Sequence, residues 1–199
     1  VIDASASATA ILMLELAEAM NVPLTKQIAN AIFTGITTDT GCFRYSNTNA
    51  QTFEAGMILA QAGAETSMIN KLMFETKTRA EMEIMRLALD SIEFHYEGRC
   101  AILTVTLDMR EQAGYYDEDL GEIAALPRRV EGVQCGITIK QKSEDEFKIS
   151  LRTVSGVNAY EIAGRFGGGG HARAAGCTLY GSLEEVREKI IEAVGDFLS

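Results

Sequence analysis

The apolar residues in the first half of the chain recur at the spacing of helices that pack on a core. A first helix is predicted from residue 4 to residue 20, and Asp3 is positioned to cap its first turn. One candidate stripe on this helix starts at Ile11 and Leu14 but runs into Glu18, so we expect the other stripe to be buried. That stripe consists of Leu12, Leu16, Ala19 and Met20. Further helices are predicted over residues 25–34 and 49–62, and one or two helices over residues 65–95.

From Tyr96 onward the pattern changes to the β-branched and apolar runs of strands. Strands are predicted over residues 99–107, 132–142 and 146–154. A short helix over residues 119–126 is expected to stop at Pro127, and an amphipathic helix follows a capping box at residues 182–185. Strands with interspersed helices predict an α+β arrangement for this part of the chain.

The polar segment at residues 75–79 is a candidate bend or hinge between two domains. We expect a mostly helical domain over residues 1–78 and a mixed-sheet domain over residues 79–199. A chain of 199 residues is long enough for two small domains, each with its own core. The residue pattern therefore predicts a helical part followed by a part with α+β architecture.

Composition limits the partners that the chain can bind. The formal net charge is −10, which argues against electrostatic wrapping of duplex DNA but allows a short anion in one basic pocket. The longest apolar runs are far shorter than a membrane-spanning segment, so we expect no membrane partner. Four widely spaced cysteines without a Cys-x-x-Cys pair indicate buried, reduced thiols and a cytoplasmic protein. They do not indicate a zinc site.

Four consecutive glycines at positions 167–170 precede His171 and Arg173. Without Cβ atoms, such a segment can bring backbone N–H groups directly against a ligand, and His171 and Arg173 can add hydrogen bonds or charge. Apolar segments flank the run, so it is predicted to connect a helix to a strand and to bind an anion. A flexible linker with a solvated histidine is the alternative.

Two further positions are candidates for phosphate chemistry. Asp39 lies in a turn of small residues before Arg44, where it can serve as a hard-metal ligand or simply cap the turn. Arg44 can grip phosphate or lie solvated on the surface. Strand alternation places Arg152 on the same face as Ser150, shortly before the glycine run. Arg152 can therefore bind the same anion, or it can pair with a nearby carboxylate.

The segment from Gly168 to Gly176, together with Ser150-Leu151-Arg152 and Val157-Asn158, resembles the C-terminal substrate-binding domain of the DHH phosphoesterase superfamily. The segment from Thr37 to Tyr45 resembles the last metal-binding motif of the bifunctional oligoribonuclease and PAP phosphatase branch, where PAP is 3′-phosphoadenosine 5′-phosphate. The two motifs occur in the order of that family, and the resemblance covers essentially the whole chain.

The resemblance implies a two-domain phosphoesterase with two Mn²⁺ ions in an N-terminal α/β domain and a substrate clamp in the C-terminal domain. The predicted fold class therefore combines α/β and α+β architecture. It implies that Asp39 is a metal ligand and a catalytic residue. By the same match, the contacts to phosphate or nucleotide are Arg152, Gly168, Gly169, Gly170, His171, Arg44, Asn158 and Arg173. The implied substrates are short RNA and PAP.

No Asp-His-His triplet of the superfamily occurs in the sequence, and the chain begins with Val1 rather than methionine. We therefore expect a fragment that lacks most of the metal site, does not retain Mn²⁺ and shows negligible hydrolysis by itself. A cyclic dinucleotide phosphodiesterase of the same superfamily and a nucleotide-binding module without catalysis are the alternatives. A homodimer is left open.

Overall fold

The computed structural model describes residues 3, 5–154 and 156–198. The chain divides into two compact units, Val1–Thr76 and Lys77–Ser199. Within the described ranges, no helix is long and apolar enough to cross a membrane.

The first unit is helical. Its helices are α1 (Thr9–Ala19), α2 (Lys26–Asp39), α3 (Ala50–Gln61) and α4 (Thr66–Asn70), followed by a π-helical turn at Lys71–Glu75. Hydroxyl and amide side chains start two of them, because Thr25 caps α2 and Asn49 caps α3 by accepting backbone N–H groups of the first turn. The buried core consists of Ala8, Ile11, Leu14, Ala29, Ile32, Phe33, Ile36, Ala55, Leu59 and Ile69.

The prediction for α1 was wrong about its cap and its buried side. The helix begins at Thr9, and the Asp3 carboxylate instead accepts hydrogen bonds from the backbone N and Oγ of Ser5. Ile11 and Leu14 are buried, whereas Leu16 is 48% exposed. Apolar residues surround α1 on nearly every side, so their spacing could not select the side that packs on α2 and α3. Residue 4, the predicted first residue, lies outside the described ranges.

The second unit is built on a six-stranded mixed sheet in the order β1-β2-β3-β4-β6-β5. The strands are β1 (Glu93–His95), β2 (Cys100–Val105), β3 (Cys135–Gln141), β4 (Glu146–Thr153), β5 (Gly169–His171) and β6 (Ala174–Tyr180). Strands β2 and β3 are parallel, and every other pair is antiparallel. The predicted combination of a helical part with a mixed-sheet part is confirmed.

The helices of the second unit are α5 (Arg79–Asp90), α6 (Leu107–Ala113), α7 (Ala159–Gly164) and α8 (Leu183–Leu198). Apolar residues of α7 and α8 share one core with inward-facing residues of the strands. On the opposite face, α5 and the segment around Leu120 and Ile123 pack on Leu103 and Val105 of β2. That cover extends over β3, where the Thr138 hydroxyl donates to Ala124 O.

Several predicted boundaries in this unit were wrong. The helical pattern predicted to reach residue 95 ends at Asp90, and residues 93–95 form the edge strand β1. The predicted strand over residues 99–107 ends at Val105, because Thr106 caps α6 through its hydroxyl. The predicted helix before Pro127 is a 3₁₀ turn at Gly121–Ala125, and Pro127 begins a second one. These elements are too short for an apolar period to be read from them.

Candidate functional site

Arg152 and His171 lie in one row of the sheet. Arg152 of β4 pairs directly with Ala174 of β6, and Ala174 pairs directly with His171 of β5. Directly opposed residues of an antiparallel pair project to the same face. The two side chains therefore share a face, with their backbones two strand spacings or about 10 Å apart.

This face is open over β4, β6 and β5. Along β4, Phe147, Ile149 and Leu151 are buried against the helices, whereas Ser150 and Arg152 on the other side are partly exposed. All three residues of β5 are exposed. The next row on this face contains only small residues, because Ser150 pairs with Gly176 and Gly176 pairs with Gly169. We call the surface formed by Ser150, Arg152, Gly169, His171, Ala174 and Gly176 the open sheet face.

The structure requires a glycine at three of the four positions 167–170, for different reasons, and not at the remaining one. Gly167 has a φ of +70° and Gly170 has a φ of +139°, conformations that side chains disfavour. A Cβ on Gly168 would collide with the Gly176 carbonyl oxygen. Gly169 has neither constraint, since a Cβ placed there would meet no atom within 4 Å. The space in front of Gly169 is therefore left free by the fold itself.

The expectation of a plain connection from helix to strand needs correction. Gly169 and Gly170 are not a connecting loop, because they begin β5 and pair with Gly176 and Ala175 of β6. The connection after α7 is limited to residues 165–168. Pairing along β6 turns the glycine run into an edge strand and places His171 at its end, exposed on the open sheet face.

Asn158 and Arg173 support this edge. Asn158 caps α7, since its Oδ1 accepts from Tyr160 N at 3.1 Å and its Nδ2 donates to Glu161 Oε1 at 2.6 Å. The Arg173 guanidinium donates to the carbonyl oxygens of Val154 and Val157. Both side chains thus hold the strand ends and the start of α7 in place. Their predicted role as substrate contacts stays a prediction.

Arg152 is available for a ligand. Its Nη1 donates to its neighbour's carbonyl, Leu151 O, at 3.1 Å. Among the described residues it forms no ion pair, so the alternative of a nearby carboxylate partner finds no support there. A guanidinium with free donors can bind a phosphate through two parallel hydrogen bonds.

In the first unit, Asp39 is the last residue of α2 and is exposed. No described residue forms a hydrogen bond or ion pair with its carboxylate, whereas its carbonyl accepts from Asn47 Nδ2 at 3.2 Å. The cap of this turn is Thr40, whose hydroxyl donates to Ile36 O and accepts from Phe43 N. A bare carboxylate at the C-terminal end of a helix is electrostatically unfavourable and favours a cation as its partner.

The turn after Asp39 holds Arg44 in a defined position. Gly41, Cys42 and Phe43 have φ values of 55°, 60° and 62°, a left-handed run that is strained for the two residues with side chains. Nε of Arg44 donates to Gly41 O at 2.6 Å, and its guanidinium carbon lies 5.8 Å from the centre of the Phe74 ring. The terminal nitrogens of Arg44 have no partner among the described residues, so they are available to an anion.

The described residues contain no group of three or more His, Cys, Asp or Glu side chains that could hold a metal ion. Asp39 fits one position in the coordination shell of Mn²⁺ or Mg²⁺, which prefer carboxylate oxygen and water. The four cysteines are free thiols. Burial raises the pKa of Cys177 to about 11, and contact with Cys100 together with burial raises the pKa of Cys135.

The sequence did not identify Ala174 and Gly176 as part of the site. They lie at alternate positions of β6, and each is partly exposed, whereas Ala175 between them and Cys177 after them are buried. Alternation of small residues along a predicted strand next to the glycine run is the signal that could have found them.

Fold and site together define a mixed α/β domain of the kind that accompanies DHH phosphoesterases. The chain belongs to the DHHA1 domain family, whose model matches residues 97–199. This match confirms the resemblance predicted from the segment Gly168 to Gly176, and the relatives described next extend the resemblance over the whole chain.

Two curated relatives carry enzyme names. The chain is 35% identical over 201 residues to a Thermus thermophilus protein named bifunctional oligoribonuclease and PAP phosphatase NrnA, and the match covers 100% of this chain and 60% of the relative. It is 30% identical to the cyclic-di-AMP phosphodiesterase PdeA of Listeria monocytogenes, over 97% of this chain and 29% of the relative.

A solved structure shares the fold. An exopolyphosphatase-related protein from Bacteroides fragilis superposes with a TM-score of 0.86 at 25% identity, over 98% of this chain and 58% of that chain. The chain thus spans 60% or less of the length of each of these proteins.

Proposed function

We propose that the chain supplies the substrate-holding part of a metal-dependent phosphoesterase that acts on short oligoribonucleotides and on PAP. The observation that carries the proposal is the row Arg152–Ala174–His171 on the open sheet face, beside the gap at Gly169. The 35% identity to the Thermus thermophilus oligoribonuclease and PAP phosphatase supports this substrate class.

The open sheet face binds the phosphate of a nucleotide in this proposal. Arg152 holds two phosphate oxygens through its guanidinium, and His171 donates a further hydrogen bond from the neighbouring edge strand. Gly168, Gly169 and Gly170 let the edge backbone approach the phosphate, and Gly169 leaves room for it. Arg173 and Asn158 position His171 by holding the strand and the helix that flank it.

Asp39 and Arg44 serve the reacting phosphate in the same proposal. Mn²⁺, when bound, would act as a Lewis acid and lower the pKa of a bound water. Asp39 contributes one carboxylate to such an ion and holds it at the end of α2. Arg44 binds a phosphate oxygen, because Gly41 O and Phe74 hold its guanidinium while its terminal nitrogens stay free.

One carboxylate is too little to hold two cations, so we expect negligible hydrolysis by the 199-residue chain alone. Robust Mn²⁺-dependent cleavage of a dinucleotide by the purified chain would overturn that part of the proposal. The free thiols, the net charge of −10 and the short apolar runs support a cytoplasmic protein that binds neither duplex DNA nor a membrane.

The second candidate is cyclic-di-AMP phosphodiesterase activity, which the 30% identity to the Listeria protein favours. Calorimetric titration of the chain with PAP, a linear diadenylate and cyclic di-AMP separates the two. Tight binding of PAP and the linear dinucleotide supports the first function. Binding of cyclic di-AMP alone would replace it with the second.

A further inference from the structure

The open sheet face continues beyond the row of Arg152 and His171. Four residues before Arg152 on β4, Lys148 pairs directly with Thr178 of β6. Two residues before Lys148, Glu146 pairs with Tyr180. These residues are separated from Arg152 and Ala174 by even numbers of positions, so they project to the same face. One continuous surface therefore links the proposed phosphate site to Lys148 and Tyr180.

Lys148 and Tyr180 have exposed side chains on this extension. Lys148 is exposed, and no described residue forms an ion pair or a hydrogen bond with its ammonium group. Tyr180 is 63% exposed and lies diagonally across the strand pair from Lys148. Four residues of strand separate Arg152 from Lys148, which corresponds to about 13 Å. That separation leaves room for more than one nucleotide between the two cations.

We infer that this extension is a second subsite, in which Lys148 binds a backbone phosphate and Tyr180 stacks on a base of a single-stranded oligonucleotide. The inference rests on the proposed function. A cation followed by an exposed aromatic ring is the combination by which proteins bind single strands without reading their sequence. On β4 and β6, the positions of this face between the two cations are Ser150, Gly176, Ala174 and Thr178, so a strand that lies along β4 and β6 meets no large side chain between them.

Glu146 marks the end of the subsite. It lies opposite Tyr180 on the same face, and two more acidic residues, Glu144 and Asp145, precede it in the hairpin turn. These carboxylates repel further phosphates beyond Lys148. The subsite therefore favours oligonucleotides of a few residues over a mononucleotide such as PAP, and it gives no further gain for long strands.

The test measures binding of PAP and of 5′-phosphorylated tetra-adenylate to the 199-residue chain, by calorimetry in EDTA so that no hydrolysis occurs. The variants are Lys148→Met and Tyr180→Ala. Lys189→Met is the matched control, because Lys189 is exposed on α8, which packs on the other face of the sheet. Tyr180→Phe keeps the aromatic ring and tests whether stacking is enough.

Lys148→Met and Tyr180→Ala should each weaken tetra-adenylate binding by about tenfold and leave PAP binding within twofold of wild type. Lys148→Met should also reduce the slope of log K against log salt for the tetranucleotide by about 0.7. Lys189→Met and Tyr180→Phe should behave as wild type. Equal losses for both ligands, or no loss for either, would overturn the subsite while leaving the proposed function intact. Failure of the wild-type chain to bind either ligand would refute both.

Discussion

Gly169 of β5 lies directly opposite Gly176 of β6, so one row of this strand pair carries no side chain on either strand. Gly176 has a packing reason, because a Cβ there would lie 2.8 Å from the Ile149 carbonyl oxygen. Gly169 has none. Neither backbone conformation nor packing requires a glycine at this position of the open sheet face, which agrees with the proposal that a ligand occupies the space in front of it.

Gly169→Ala should therefore affect binding and not folding. The new methyl group occupies the proposed phosphate space, and we expect PAP affinity to fall by about tenfold. The free energy of unfolding should stay the same or rise by up to about 1 kcal/mol, because alanine restricts the unfolded chain. Calorimetry and urea denaturation measure the two effects.

Gly168→Ala is the control for that experiment. Its Cβ would collide with the Gly176 carbonyl oxygen and with Cys177, so we expect a loss of about 1–3 kcal/mol of stability. Gly169→Ala with reduced stability and undiminished PAP affinity would show that this glycine is needed for the fold.

Local chemistry made much of this site predictable. Four glycines before a histidine and an arginine at an alternating strand position are visible in the sequence, and the structure exposes His171 and Arg152 on one face. The hairpin of β3 and β4 was predictable because a short polar turn joins two runs of apolar and β-branched residues. Helix α8 was predictable because its capping box and its apolar side agree.

Features that depend on distant pairing were not predictable. Ala174 belongs to the open sheet face because it pairs with both Arg152 and His171, which are far apart in sequence. The support that Arg173 gives depends on the path of the chain at Val154 and Val157. The buried side of α1 depended on where α2 and α3 pack, because the helix is apolar nearly all round.

Arg152 and His171 should act together on one phosphate. The variants Arg152→Met and His171→Ala should each weaken PAP binding by at least about tenfold, because each removes charge-assisted hydrogen bonds to the phosphate. If both contact the same group, the double variant should lose less than the sum of the two, with a coupling of at least about 0.5 kcal/mol. Calorimetric titration of the four proteins gives this coupling directly.

Metal content provides the control for that pair. In the full-length enzyme, neither variant should change the Mn²⁺ content, because both residues lie outside the first unit. Loss of metal with unchanged substrate affinity after His171→Ala would contradict the assignment of the open sheet face.

Asp39→Asn should separate a metal ligand from a structural cap. The carboxylate has no described partner and lies at the C-terminal end of α2, so its removal should leave stability unchanged or raise it by about 0.3–1 kcal/mol. The same variant should weaken Mn²⁺ binding in the full-length enzyme. Thermal unfolding and metal titration measure the two effects. A destabilisation of more than about 1 kcal/mol would instead identify Asp39 as a residue that holds the turn.

Glu118 should give the second unit a distinct acid response. Its carboxylate binds Lys142 and Lys140, and these hydrogen bonds lower its pKa to about 2 from a usual value of 4.5. A carboxyl group whose pKa is lower in the folded state stabilises the fold above its unfolded pKa, and that contribution disappears as the pH falls towards the folded pKa. The stabilisation should therefore be complete above about pH 4.5 and decline between pH 4.5 and pH 2.

The measurement is the unfolding temperature of wild type and Glu118→Gln as a function of pH. Wild type should be the more stable at pH 6, and the difference should shrink as the pH falls from 4.5 towards 2. Glu144→Gln is the matched control, because Glu144 is an exposed carboxylate two residues after Lys142 and its side chain has no described partner. It should follow the wild-type curve. If the difference in unfolding temperature between wild type and Glu118→Gln stays constant down to pH 2, the packing of the Glu118 side chain and not its charge stabilises the fold.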